Sequence, residues 1–173
     1  MDQSGEWQDL IYRAGDGDAQ AQVTVAFAYM TGQSVAADFK EAAHWYLKAA
    51  QQGLPIAQHN LACMYLNGDG VERDPAQAFY WFNQAALQSD PDAQYNLGLL
   101  YEQGKGCQRN NQLSAQWFES AARLGSGRAQ YELACLYLDG RSFARSIEDA
   151  KYWFGLAEKS GVARASEQLT SLE

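Results

Sequence analysis

The chain has 173 residues, 47% hydrophobic and 20% charged, with a formal net charge of −8. That is enough apolar material for one folded domain and excludes a mainly disordered chain. The acid excess argues against nucleic acid as a partner, because phosphate binding needs clustered Lys and Arg. No apolar run approaches the roughly 20 residues of a membrane helix. The start, MDQSGEWQDL, lacks the basic-then-apolar order of a secretory signal, so a cytoplasmic location is expected.

Residues 4–14 place Trp7, Leu10, Ile11 and Ala14 at helical spacing and predict a helix, the core of an N-terminal capping segment 1–16. From residue 17 the chain repeats. Trp45, Trp81, Trp117 and Trp153 are 36 residues apart, and Tyr29, Tyr65, Tyr101 and Tyr137 keep the same phase. So do Gly32, Gly68, Gly104 and Gly140. A fixed period of this size means stacked supersecondary units, here 17–52, 53–88, 89–124 and 125–160.

Each unit reads as two helices, A then B. In the first, Asp38 with Glu41 predicts a capping box at the start of helix B. In the second, Pro55 opens helix A, and Ala57, Leu61, Met64 and Tyr65 form its inner face. Gly68 and Gly70 end that helix. Asp74-Pro75 begins helix B, whose buried stripe is Ala78, Trp81, Phe82, Ala85 and Ala86. Asp90-Pro91 opens the third helix A, and Ser146 caps the fourth helix B. Residues 162–172 read as a lone helix A within a C-terminal capping segment, 161–173. The expected fold is all-α: an α/α solenoid, a right-handed superhelix of ten helices, with the Trp series and the aromatic after each (Tyr46, Phe82, Phe118, Phe154) in its core.

The run Gly53…Ala57…Leu61-Ala62…Tyr65…Gly68-x-Gly70-Val71…Asp74…Ala78…Trp81…Ala85-Ala86 resembles the Sel1-like repeat, a relative of the tetratricopeptide repeat. Units one and four depart from it with Ser34 and Ser142 at the second loop glycine, unit four also with Phe143 at the valine, and Ser89 replaces a unit-end glycine. The resemblance implies an adaptor that assembles protein complexes, often bacterial. Some cysteine-rich members have been described as binding β-lactams, but the paired cysteines that go with that activity have no counterpart here. Cys63, Cys107 and Cys135 fall in separate units and are expected to stay reduced.

No catalytic residues, metal ligands or cofactor site are expected. His44 and His59 lie on different helices without a metal-ligand spacing, and no nucleophile–base set or phosphate-loop fingerprint is present. The informative surface is the back of helix A, which lines the concave groove in tetratricopeptide-like stacks. Val23, Phe27, Met30, His59, Leu66, Tyr95, Leu99, Tyr131 and Leu138 lie there, apolar for an outward face, with Asn60 and Asn96 at the edge and Glu102 on the rim beside Asp92 and Asp139. Two arrangements fit: neighbouring helices bury these side chains, or they form a groove for a partner's peptide or helix flanked by basic residues. The leading expectation is thus a protein-interaction scaffold. An immunity protein that neutralises a toxin is the alternative, and a cell-wall or β-lactam hydrolase a distant third.

Overall fold

The computed structural model describes residues 3–172. Residues 1, 2 and 173, the extremities of the two predicted capping segments, lie outside the described residues. Ten helices and no strand occur among the described residues. They form two compact units, Met1–Gln88 and Ser89–Glu173. The first holds α1 (Gln3–Gly15), α2 (Ala19–Thr31), α3 (Phe39–Gln51), α4 (Pro55–Asn67) and α5 (Pro75–Leu87). The second holds α6 (Pro91–Gln103), α7 (Asn111–Arg123), α8 (Gly127–Asp139), α9 (Ile147–Lys159) and α10 (Ala163–Ser171). Within each unit every helix packs on its neighbours in the chain.

The repeat fixes helix ends locally. The A helices α2, α4, α6 and α8 stop at Gly32, Gly68, Gly104 and Gly140, all left-handed with φ of 66–87°. The N-cap of the following B helix then turns back. Its backbone N–H donates to the carbonyl of the repeat tyrosine: Asp38 to Tyr29, Asp74 to Tyr65, Asn110 to Tyr101 and Ser146 to Tyr137, at 2.9–3.0 Å. This corrects the expected capping box. The Asp38 carboxylate accepts the Lys40 and Glu41 N–H groups, but the Asp38 N–H is held by Tyr29 and not by the Glu41 side chain.

The core is small and regular. Ala residues keep the helices close, and Tyr46, Phe82, Phe118 and Phe154 are the large side chains of helix B that lose all contact with water. This shifts the expected core by one residue. Trp81 is 8% exposed, whereas Trp45, Trp117 and Trp153 are only half-buried. Adjacent helical residues differ by about 100° in direction, so only one of each aromatic pair can point straight inward. Gly98 shows how tight that position is: a Cβ there would fall 2.7 Å from the Phe118 ring.

A polar series runs through the same core. Gln22, Gln58, Gln94 and Gln130 share one slot of helix A and are all buried. Three of them donate from Nε2 to a carbonyl in the preceding helix: Gln22 to Ala14 (3.0 Å), Gln58 to Ala50 (3.2 Å) and Gln130 to Ala122 (3.2 Å). Their side-chain oxygens accept from Gln52, Gln88 and Ser160. These bonds satisfy the buried glutamine amides and give a second donor to carbonyls that also accept the N–H groups of Gly17, Gly53 and Gly125.

Candidate functional site

In the first unit the outer face of helix A comes from α2 and α4. The Asp18 carboxylate starts α2 by accepting the Gln20 and Ala21 N–H groups, and the Ala21 N–H, followed by Arg13, holds that carboxyl below its ordinary range. One turn on, Val23 is 6% exposed and belongs to the core, so it offers no surface. Phe27 is 45% exposed, and Met30 is half-buried beside it in sequence phase. On α4, His59, Asn60, Cys63 and Leu66 are half-buried. His59 meets Phe82 edge-on, with ring centroids 5.5 Å apart, so its ring is anchored in the packing.

In the second unit the face comes from α6 and α8. Tyr95 packs against Phe118 at 5.7 Å and Tyr131 against Phe154 at 5.4 Å. Each tyrosine also carries a guanidinium one repeat further on. Arg128 lies 4.7 Å over Tyr95, and Arg164 lies 5.1 Å over Tyr131. The two tyrosines are thus core on one flank and covered by a cation on the other. Asn96, Leu99 and Leu138 are half-buried, and Glu102 is exposed. Leu138 and Cys135 join Tyr131 against the cluster of Ala134, Ala150 and Phe154.

The predicted side chains therefore fall between the two expected arrangements. Most are neither fully buried nor free, and Phe27, Met30 and Leu66 in the first unit, with Leu99 and Leu138 in the second, offer the accessible apolar surface. Asp92 pairs with Arg128 at 2.6 Å, and Asp139 pairs with Arg141. Glu102 has no ion pair among the described residues.

Sequence reasoning missed Glu132. It takes the slot that holds Asn60 and Asn96, half-buried with Tyr95, Arg128, Tyr131, Val162 and Arg164 around a cavity of about 40 Å³. Burial pushes its carboxyl up, Glu102 adds to this, and Arg164 opposes it. Burial likewise raises the Cys135 thiol to about 11, which makes it a poor nucleophile or metal ligand at neutral pH. Cys63, Cys107 and Cys135 are free thiols. No group of three or more metal-type ligands converges among the described residues, and no helix among them is long and apolar enough to cross a membrane.

A family model described as Sel1 repeat matches residues 19–54, 55–90, 91–126 and 127–162. Among solved structures, the chain is similar to a protective antigen present in uropathogenic Escherichia coli strains, which displays an SLR fold. The identity is 34% and the TM-score 0.90 over 94% of this chain and 35% of that one. It is also similar to a Sel1 repeat protein from Oxalobacter formigenes, at 35% identity and TM-score 0.83, over 88% of this chain and 62% of that one. The cysteine-rich protein B of Helicobacter pylori shares the fold at 22% identity and TM-score 0.58, over 74% of this chain and 92% of that one. The chain thus spans less than two thirds of the first two proteins. No curated protein matches the sequence.

Proposed function

The chain belongs to the Sel1 repeat family, whose members are generally protein-interaction scaffolds, and on that premise we propose that it holds a peptide or helix of another protein on the helix A face. The observation that carries this reading is the accessible apolar surface on the outer side of helices whose inner side is already in the core. Phe27 is the clearest case, a phenyl ring 45% exposed on a helix that is otherwise largely buried. Exposed apolar patches of this kind mark binding surfaces.

The division of labour within the face follows from its packing. Tyr95, Tyr131 and His59 are braced by Phe118, Phe154 and Phe82 and set the shape of the surface. In the first unit Phe27, Met30 and Leu66 supply contact area, with Asn60 available to a partner's backbone; in the second Leu99 and Leu138 do so, with Asn96. In the second unit's helix A face, Glu102 and Glu132 have no ion pair among the described residues, so they favour basic residues flanking the partner's apolar stretch.

The test is a set of surface variants against a purified partner. Phe27→Lys and Met30→Lys should each weaken binding by more than about 1 kcal/mol with little change in melting temperature. Tyr80→Lys, on an exposed part of α5, should bind as the wild type does. Equal affinities for all three variants would refute the assignment.

A further inference from the structure

The start of helix B is supplied with negative charge in three repeats but not in the third. Asp38 caps α3 and accepts two backbone N–H groups, with Glu41 in the first turn. Asp74 caps α5 and also accepts two. Helix α9 has a neutral cap, Ser146, but Glu148 and Asp149 follow in its first turn. Helix α7 begins with the neutral Asn110, which accepts only the Leu113 N–H, and its first turn holds no acid. The partial positive charge of about half a unit at a helix N-terminus is therefore uncompensated there, and the first two N–H groups have no intrahelical acceptor.

The same end of α7 faces a cavity of about 40 Å³, lined by Arg109, Asn111, Ser114, Arg141 and Ser142, with Glu102 and Leu136 completing the wall. The equivalent loop of the second repeat packs tightly on the preceding helix B. There Gly70, at φ 71°, brings the loop backbone onto the first residue of α3, so close that a Cβ would fall 2.1 Å from the Phe39 carbonyl oxygen. Ser142 occupies the Gly70 slot of the fourth repeat and does not adopt the left-handed conformation. It borders the cavity along with Asn111, and the space between them stays open.

Ser114 is the independent sign of a ligand. The other three repeats have Ala42, Ala78 and Ala150 in its slot, all fully buried. Ser114 is 3% exposed and lines the cavity. Its hydroxyl is not among the buried polar atoms that lack a partner, so it opens onto the cavity rather than standing sealed in the core. Arg109 is a second uncommitted donor: its Nε donates to the neutral Asn111 Oδ1 at 3.3 Å, and it has no ion pair among the described residues.

We infer that this cavity is an oxyanion site, in which the carboxylate or phosphoryl oxygens of a ligand accept from the first turn of α7, the Ser114 hydroxyl and the Arg109 and Arg141 guanidiniums. The volume holds about three water-sized groups at roughly 10–15 Å³ each, the size of a carboxylate or one face of a phosphate. Arg141 also binds Asp139, and Glu102 opposes the anion, so neutralising Glu102 should strengthen the site.

Inorganic phosphate and acetate, titrated separately into the ¹⁵N-labelled chain, test this without any partner protein. Saturable shifts of the Asn111 and Gln112 amides by either anion are expected; shifts by phosphate alone assign a phosphoryl group, and shifts by both admit a carboxylate. Asn110→Asp installs the cap used by α3 and α5, so it should fold normally yet bind at least about tenfold more weakly. Ser114→Ala restores the residue of the other repeats and should also weaken binding, while Glu102→Gln should tighten it. No saturable shift with either anion, or affinities unchanged in Asn110→Asp, would overturn the inference.

Discussion

The Gln58 side chain donates to the Ala50 carbonyl at 3.2 Å, reaching from α4 back into the last turn of α3, while its oxygen accepts from Gln88 at 2.8 Å. One amide thereby joins three helices of the first unit. Gln58→Ala removes both of these hydrogen bonds, a loss of about 1–3 kcal/mol at roughly 0.5–1.5 kcal/mol for each, although the Ala50 carbonyl keeps the Gly53 N–H. Gln51→Ala, exposed on α3, should stay within about 0.5 kcal/mol of wild type. Urea titrations of the two variants measure the difference, and equal midpoints would mean that the buried amide contributes nothing.

Adjacent aromatic residues should differ sharply in weight. Phe118 is buried and touches Tyr95, with Gly98 making room for its ring, whereas Trp117 is half-buried. Phe118→Ala should cost about 3–5 kcal/mol, and Trp117→Ala clearly less despite the larger side chain. A greater loss at Trp117 would return the tryptophans to the centre of the core.

Tyr46 offers a stabilising substitution. It takes the slot of Phe82, Phe118 and Phe154, is fully buried, and its hydroxyl has no partner among the described residues. Tyr46→Phe should raise stability by about 1 kcal/mol at neutral pH. Burial also pushes the Tyr46 hydroxyl up to about 12 from an ordinary value of 10.0. A raised folded-state value keeps its contribution intact below pH 10 and loses it as pH rises toward 12. The wild type should therefore lose more stability over that range than Tyr46→Phe does, as thermal melts from pH 9 upward can show. A destabilised Tyr46→Phe would mean that the hydroxyl has a partner.

Much of this was legible in the chain. The spacing of Trp45, Trp81, Trp117 and Trp153 carried the helix pairs, and Pro55, Asp74 and Asp90 marked their starts. The buried glutamines were equally periodic, but a polar residue at an inner helical position carries no signal in a hydrophobic pattern; only the carbonyl it meets explains it. The choice between Trp81 and Phe82, or Trp117 and Phe118, as the inward residue was likewise hidden, because both are large and adjacent, and packing alone separates them. The ion pair on the rim was hidden for a different reason. Asp92 and Arg128 occupy the same slot in successive repeats, so stacking brings opposite charges together and pairs Asp92 while both side chains stay exposed. Comparing slots across units, rather than residues along one helix, would have shown both this pair and Glu132.

The most direct test of docking on the helix A face is site-specific photocrosslinking in the native host. Benzoylphenylalanine would replace Phe27 in one strain and Leu138 in another, and Tyr80 and Tyr152, both exposed on B helices, in two controls. Discrete adducts with the same protein from Phe27 and Leu138, and none with it from Tyr80 or Tyr152, are the predicted result. Adducts from the B-helix positions alone would contradict the account.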